Sequence, residues 1–529
     1  MEPQIGRLTA PALAVAAAIV VGSGCGAPSG IALAPRWSET AAVVSPNVFG
    51  HNTVWSQGGL GLWDDNARQL RADVVGKVSA LHPGVLRFPG GTRAMRYHFD
   101  QAIGAARAPE CDSFKGTLDA TGYGPEEFLA LATQLGSAVT WVAPWVDGSP
   151  QETAAAAAFL VGDAASTVTL GRDGNGKDWG DAGSWARRRA QSAPYASVRW
   201  LEVGNEPYLG LATGPATSCG RASPFVQDER WAGGLRIPTT AADYAAQLVA
   251  TASLVRAVAP SLRIGAPATS QYDGSSDAMT AVGDVDVRAG GDPWNARLVA
   301  DAGGAFDFWI LHPYDFSVDD EARMHLAERL RKTVRDLKRA APDKPVAVTE
   351  FGFLFGGGTL LNALVTADMT RVAIEEQLLL DVRHILIEED PRGPFADSAA
   401  IGPGDAEKPG YYAAQLLAAQ LLDTAVPLAG VRDGALVPDG TLVALATRDA
   451  ATRRLAVVVI DRRLDDGAAR QVRLTLPPGA WSAHATTLGG DTLAATTVRL
   501  ADADLGSASG SLRLTVPAHA LVLLSASAR

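Results

Sequence analysis

Two hydrophobic periods divide this sequence. From Phe49 to roughly residue 390, short apolar runs alternate with segments whose apolar positions recur every three or four residues. The apolar runs predict strands at Gly84–Phe88, Ala138–Ala143, Val198–Val203, Leu262–Ala266, Phe306–Leu311 and Pro345–Thr349, with a first strand near Val48–Thr53 and a last near His384–Glu388. Between them Pro125–Leu135, Thr240–Val258 and Asp319–Ala340 read as helices with one apolar side. Strand–helix repetition predicts a parallel sheet, and eight such units close into a (β/α)8 TIM barrel, an α/β fold. An open doubly wound sheet is the competing arrangement. No Gly-x-Gly-x-x-Gly opens a helix after an early strand, which counts against its nucleotide-binding version.

After Pro409 the period falls to two. Val472, Leu474 and Leu476 alternate with Arg473 and Thr475, and Leu512, Leu514 and Val516 with Arg513 and Thr515. Further strands are expected at Thr441–Ala446, Leu455–Ile460, Trp481–Thr486, Thr497–Leu500 and Ala520–Ser525. The pattern predicts an antiparallel β-sandwich over residues 406–529, following a barrel over 49–405. The β-like stretch within 30–48 is expected to add a strand to that sandwich.

A chain of 529 residues holds two or three domains with full-sized cores. A formal net charge of −11 argues against nucleic acid or an anionic membrane surface as partner. The first 29 residues read as a targeting segment. Arg7 precedes a short apolar run, Leu8 to Val21, and Gly22-Ser23-Gly24-Cys25 resembles a bacterial lipoprotein cleavage box with Cys25 as the lipidated residue. Export is expected, to a cell envelope or beyond it. Membrane association would run only through that lipid anchor. Export leaves Cys111 and Cys219, which an oxidising compartment would permit to bridge. A bridge over so long a loop is worth about 4–5 kcal/mol in the loop-entropy picture. Two unpaired thiols are the alternative.

The strand prediction gives meaning to certain polar positions. Val198–Val203 ends at Gly204, and Asn205-Glu206 stand where the chain leaves the sheet. The run Val346-Ala347-Val348-Thr349 ends in the same way at Glu350. Three strand–helix units separate the two carboxylates, which places them on strands four and seven of a barrel, at the face where such barrels keep their chemistry. A third strand exit carries His312 and Tyr314, and a fourth carries Arg87 before Phe88-Pro89-Gly90-Gly91. Singly, each is weak: a lone Asn-Glu is commonly a solvated loop, and a lone histidine commonly a hydrogen-bonded structural residue. Four polar groups at four exits over one mouth are harder to dismiss. Glu202, inside the barrel wall, is expected to pair with a barrel Arg or Lys.

Two carboxylates with an Arg, a His and a Tyr fit glycoside hydrolysis. One carboxyl donates a proton to the leaving oxygen while the other, ionised, attacks the anomeric carbon. At about 5 Å, an effective dielectric near 20 gives roughly 3 kcal/mol of repulsion, enough to keep one acid of such a pair protonated near pH 6. Arg87 and Tyr314 are expected to hold the nucleophile ionised, and Asn205 to hydrogen-bond the sugar hydroxyl next to the reacting carbon. Trp55, Trp145 and Tyr208 are expected either to form a stacking platform or to pack the rim.

These residues resemble clan A of the glycoside hydrolases, and most closely family 51, the α-L-arabinofuranosidases. Ser45-Pro46-Asn47-Val48-Phe49-Gly50-His51 resembles that family's opening strand. Arg87-Phe88-Pro89-Gly90-Gly91, with Tyr97-His98-Phe99-Asp100 after it, resembles its Arg-Tyr-Pro-Gly-Gly segment and the Tyr-x-Trp that follows. Gly124-Pro125-Glu126-Glu127-Phe128 resembles its third helix start, Val198 to Glu206 its acid/base segment, and Pro409-Gly410-Tyr411-Tyr412 its return into the C-terminal sandwich. The resemblance implies a retaining double displacement on a polysaccharide or oligosaccharide, with Glu206 as acid/base, Glu350 as nucleophile, and no metal or organic cofactor. Some positions depart from the family pattern. Its first-strand Glu is Val54 here, the Asn after Pro-Gly-Gly is Thr92, the Trp of Tyr-x-Trp is Phe99, and the Trp-Asn after the nucleophile is Phe351-Gly352. A β-xylosidase, galactofuranosidase or endo-glucanase activity therefore stays open, as does a carbohydrate-binding surface lipoprotein without turnover. Retention of both carboxylates argues against that last reading, because binding alone needs no such pair.

Overall fold

The computed structural model describes residues 30–112, 115–145, 148–189, 193–209, 211–213, 235–237, 240–269, 294–315, 319–353, 356–393 and 395–529. The leader with Cys25 lies outside them, and so does Cys219.

Eight parallel strands form one sheet: β1 Gly50–Asn52, β2 Val85–Phe88, β3 Ala138–Ala143, β4 Val198–Val203, β5 Arg263–Pro267, β6 Phe308–Leu311, β7 Val346–Val348 and β8 Val382–Arg383. Each pairs in parallel with its neighbour in sequence, and β8 returns to β1 through Val382↔Gly50 and Arg383↔His51. A parallel bridge between Val348 and Asp381 joins β7 to β8 and completes the ring. The fold is the expected TIM barrel.

Side chains alternate across a strand, so residues two apart share a face. Val85, Ala138, Trp200, Phe308, Ile310, Ala347 and Val382 form a separate apolar cluster inside the ring. Two residues further along the same strands come Arg87, Thr140, Glu202, His312, Thr349 and His384. The barrel thus has an apolar floor and, directly above it, a polar layer. Gly50 belongs to the floor by register and has no room for a side chain. A Cβ there would lie 2.6 Å from Val85 Cγ1 and 2.7 Å from the Asp381 carbonyl oxygen.

Helices cover the outside. Pro125–Leu135 starts with Pro in its first turn, the Glu127 carboxylate accepts the Gly124 N–H at 3.0 Å, and Gly136 ends it at φ +68. Thr240 caps Ala241–Val258, its Oγ1 accepting the Asp243 N–H. The helix expected over Asp319–Ala340 breaks at His325 into Asp320–Met324 and Leu326–Ala340.

The last barrel strand lies earlier than expected. The apolar run Ile385-Leu386-Ile387 drew the prediction to His384–Glu388, but the paired strand is Val382–Arg383, and Ile387 instead bridges Ile401. Asp381 and Arg383 are ionisable residue types yet buried, so an apolar-run criterion passes over this strand. The sandwich also begins later than residue 406. Pro409–Gln420 is a helix, with Pro at its start and Ala at 413, 414, 418 and 419. It packs on the barrel helix Leu360–Glu375, and its Tyr411 and Leu417 belong to the barrel core.

Beyond it a seven-stranded sheet runs in the order Ala42–Val43, Thr424–Val426, Leu442–Asp449, Arg454–Asp461, Leu521–Ala528, Trp481–Gly489, Arg499–Ala508. A three-stranded sheet, Ile31–Leu33, Arg470–Thr475 and Ser511–Val516, faces it across a second apolar core. The early segment therefore contributes to both sheets: Ile31–Leu33 runs parallel to Val472–Leu474, and Ala42–Val43 antiparallel to Thr424-Ala425.

Gly50→Ala is expected to destabilise the protein by about 1–3 kcal/mol through overpacking at the β1–β8 seam, read as a lower urea midpoint. A midpoint equal to wild type would show that the floor is looser than these distances imply.

Candidate active site

Arg87 stands at the centre of the polar layer, wholly buried. Its Nε donates to Glu202 at 3.0 Å, one Nη donates to Asn205 Oδ1 at 2.9 Å, and the other to Asn52 Oδ1 at 3.3 Å and to Glu350 Oε1. One guanidinium therefore binds groups from β1, from β4 and its exit, and from the β7 exit. Glu202 is paired as expected, and it also accepts from Thr140 at 2.8 Å and Thr349 at 3.1 Å.

Glu206 reaches the mouth through a sharp turn. Gly204 takes φ +82, and Glu206 itself takes φ +45, a region that non-glycine residues seldom occupy. A Cβ on Gly204 would lie 3.0 Å from that of Trp145. Glu350 is approached by the Pro89-Gly90-Gly91 backbone. Gly91 has φ +68, and a Cβ there would sit 3.7 Å from Glu350 Oε1. Thr92 follows directly and opens the short turn Thr92–Arg96.

His312 joins the two acids. Its Nδ1 lies 3.1 Å from Glu206 Oε1 and 4.0 Å from Glu350 Oε2, which bounds the separation of those oxygens at about 7 Å. On the other side of the ring, Nε2 lies 3.0 Å from Thr349 Oγ1. The Thr349 hydroxyl donates to Glu202, a carboxylate that only accepts, so Thr349 accepts from His312 Nε2–H.

Tyr314 donates to Glu350 Oε2 at 2.7 Å. Burial alone would push the Glu350 carboxyl up. His312, His384, Arg87 and the Tyr314 hydrogen bond outweigh it and hold the group well below the usual carboxylate range. Burial pushes His384 down to about 4, so at neutral pH that ring is uncharged, and Arg87 and Tyr314 maintain the Glu350 anion. Burial, followed by the Glu350 charge, pushes the Tyr314 hydroxyl up and keeps it a donor. Glu206 retains more contact with solvent, 17% of its side chain against 5% for Glu350.

Arg87, Asn205, Glu206, His312, Tyr314 and Glu350 are thus brought together. The aromatics divide. Trp55 is enclosed, its Nε1 donating to the Arg93 carbonyl at 2.9 Å, and offers no stacking face. Trp145 packs on Tyr244 with ring centroids 4.8 Å apart, and Tyr208 packs edge-on to Trp294 at 6.0 Å. Both are rim packing, and Tyr208 also donates to Glu206 Oε1 at 3.3 Å. Sequence reasoning missed Asn52 and His384, which hydrogen-bond each other beside Glu350, His384 Nδ1 lying 3.7 Å from Glu350 Oε2. The signal was their position two residues beyond floor residues Gly50 and Val382. Cys111, in the Glu110–Asp112 strand of a small hairpin, is disulfide-bonded, and its partner falls outside the described residues. Among the described residues no cluster of His, Cys, Asp or Glu is arranged to hold a metal.

In the unfolded chain His384 titrates near 6.5, so between that value and about 4 the unfolded state binds the extra proton. The stability tied to its neutral ring is complete above pH 6.5 and is lost as pH falls toward 4, about 3 kcal/mol in all. His51, buried and pushed down to about 3, acts with the same sign. His384→Gln is expected to flatten the fall of stability between pH 6.5 and 4.5 in urea titrations. A variant with the wild-type slope would place the proton uptake elsewhere.

No family model matches this sequence. The intracellular exo-α-L-arabinofuranosidase of Bacteroides ovatus is 28% identical over 146 residues, 27% of this chain and 26% of that protein, so the match spans about a quarter of the relative's length. The α-L-arabinofuranosidase of Thermotoga maritima, solved with arabinose, has the same fold, with a TM-score of 0.72 at 17% identity over 94% of this chain and 99% of that one. The GH51 arabinofuranosidase of Xanthomonas axonopodis pv. citri gives 0.69 at 17% identity over 94% and 99%. Barrel and sandwich together therefore follow the architecture of the arabinofuranosidases over almost the whole of both chains.

Proposed function

We propose that this protein is a retaining glycoside hydrolase, most similar in action to the α-L-arabinofuranosidases, acting on a polysaccharide or oligosaccharide. The observation that carries this is the placement of Glu206 and Glu350 on one imidazole at one barrel mouth, with unlike surroundings. Glu350, held ionised by Arg87 and Tyr314, attacks the anomeric carbon. Glu206, the acid with more access to solvent, donates a proton to the leaving oxygen. The glycosyl ester on Glu350 is then released by a water that Glu206 deprotonates. The limit of about 7 Å between their oxygens includes the ~5–5.5 Å of retaining pairs and only the lower edge of the ~6.5–9.5 Å of inverting ones. Asn205, held by Arg87, is in this reading the contact for the neighbouring sugar hydroxyl. The chain is further proposed to be exported and lipid-anchored at Cys25. The disulfide at Cys111 supports an oxidising compartment.

Glu206→Gln is expected to lower kcat on an aryl arabinofuranoside by about 10²–10⁴-fold, and Glu350→Gln by at least as much, with unchanged circular dichroism. Wild-type turnover in either variant would end the assignment. Proton NMR of the first-formed product should show the substrate's anomeric configuration. A parallel aryl β-xyloside assay separates the xylosidase alternative.

A further inference from the structure

A second cavity, of about 430 Å³, opens on the same end of the barrel as the acidic pair. It lies between the hairpin that follows β1, Trp63–Asp64 with Gln69–Leu70, and the long segment that follows β2. Its volume falls within the ~300–1,000 Å³ of small-ligand sites. Contact with the barrel wall is close, since Tyr123, next to the lining residue Gly122, packs edge-on against Phe88, the neighbour of Arg87.

The lining combines one indole with charged groups of both signs. Trp63 is half-buried, and its Nε1 hydrogen-bonds the Asp65 carboxylate. Gly122 lets the opposite wall lie against both: a Cβ there would be 2.3 Å from Asp65 Oδ1 and 3.0 Å from Trp63 Nε1. Arg107 is fully engaged, donating to Glu126, Glu127 and the Thr121 and Gly122 carbonyls, and so forms a rigid side. Arg68 is exposed and makes no hydrogen bond or ion pair among the described residues. The hairpin turn holds it at φ +52, while Asp64 Oδ1 accepts the Asn66 and Ala67 N–H groups at 2.9 and 3.0 Å.

Asp65 and Glu127 match Arg68 and Arg107, while Glu126 also pairs with Arg107 and Asp119 acts on Asp65, so the cavity leans acidic and disfavours a phosphate, and among the described residues no carboxylates are arranged to hold a metal. An apolar ring beside one carboxylate and one guanidinium suits a ligand whose hydroxyls both donate and accept around a C–H face. We infer that this cavity is a second carbohydrate-binding site, which takes a neutral oligosaccharide stretch over Trp63 with its hydroxyls on Asp65 and Arg68. The sugar class rests on the hydrolase reading; the existence of the site does not.

Calorimetry of the Glu206→Gln protein with arabinohexaose and, separately, xylohexaose tests it. Two sites per chain are expected for one of the sugars. Trp63→Ala should remove one of them or weaken it at least tenfold, and Asp65→Ala with Arg68→Ala should do the same should the Trp63 variant fold poorly. Neither change should alter wild-type turnover of an aryl glycoside. Crystals soaked in the bound sugar should show it against Trp63. One site untouched by either variant, or no binding of either sugar, overturns the inference. Binding at Trp63 in a protein without turnover would instead retain this site and reject the hydrolase proposal.

Discussion

A guanidinium sealed from water has to be surrounded by acceptors, and everything at this barrel mouth follows from how Arg87 meets that demand. Its donors reach Glu202, Glu350, Asn52 and Asn205, which come from three strands and their exits, β1, β4 and β7. Removing one member of such a buried pair commonly costs about 3–5 kcal/mol, because the other charge is left alone in a poor solvent. The same contact that satisfies Arg87 fixes the orientation of Glu350 and keeps it an anion, so the stability of the barrel and the preparation of the carboxylate are one arrangement.

The position of this layer is a consequence of strand geometry. Below it, Trp200, Phe308 and their neighbours fill the ring and keep water out. Above it, the strands end, and Gly204 and Gly91 turn the chain so that backbone or carboxylate can come close. A polar layer one pleat above an apolar floor is dry enough to strengthen charge contacts, yet lies one step from solvent at Glu206. The two acids therefore share a mouth without sharing an environment.

Much of this was legible before any coordinates. β3 and β4 were predicted to their residue limits, because a short run rich in β-branched, aromatic and aliphatic residues and bounded by Gly or polar residues has few other readings. Glu206, His312, Tyr314 and Glu350 were found because each follows such a run, and Arg87 because it interrupts one just before the strand ends. His384 and Asn52 were not, for opposite reasons. β8 has the buried ionisable residues Asp381 and Arg383 beside and within it and does not look like a core strand, and β1 spans only three residues, so its exit had no clear position. Pro409–Gln420 was read into the sandwich because a few aromatic and Ala residues after a Pro carry little period of their own, and what fixes them as helix is the packing against Leu360–Glu375. The roles of Trp55, Trp145 and Tyr208 depend on which ring faces are covered, and spacing along a chain holds no information about that.

The pairing of Ile31–Leu33 with Val472–Leu474 carries one more implication. Among the described residues it covers one edge of Arg470–Thr475, whose other edge is already paired with Ser511–Val516. An uncovered edge of alternating Val and Leu is a template for another chain's backbone. A protease cut just after Leu33 would thus leave the barrel mouth intact while turning the far domain into a self-association surface, so clumping and loss of solubility would set in well before any loss of the catalytic geometry.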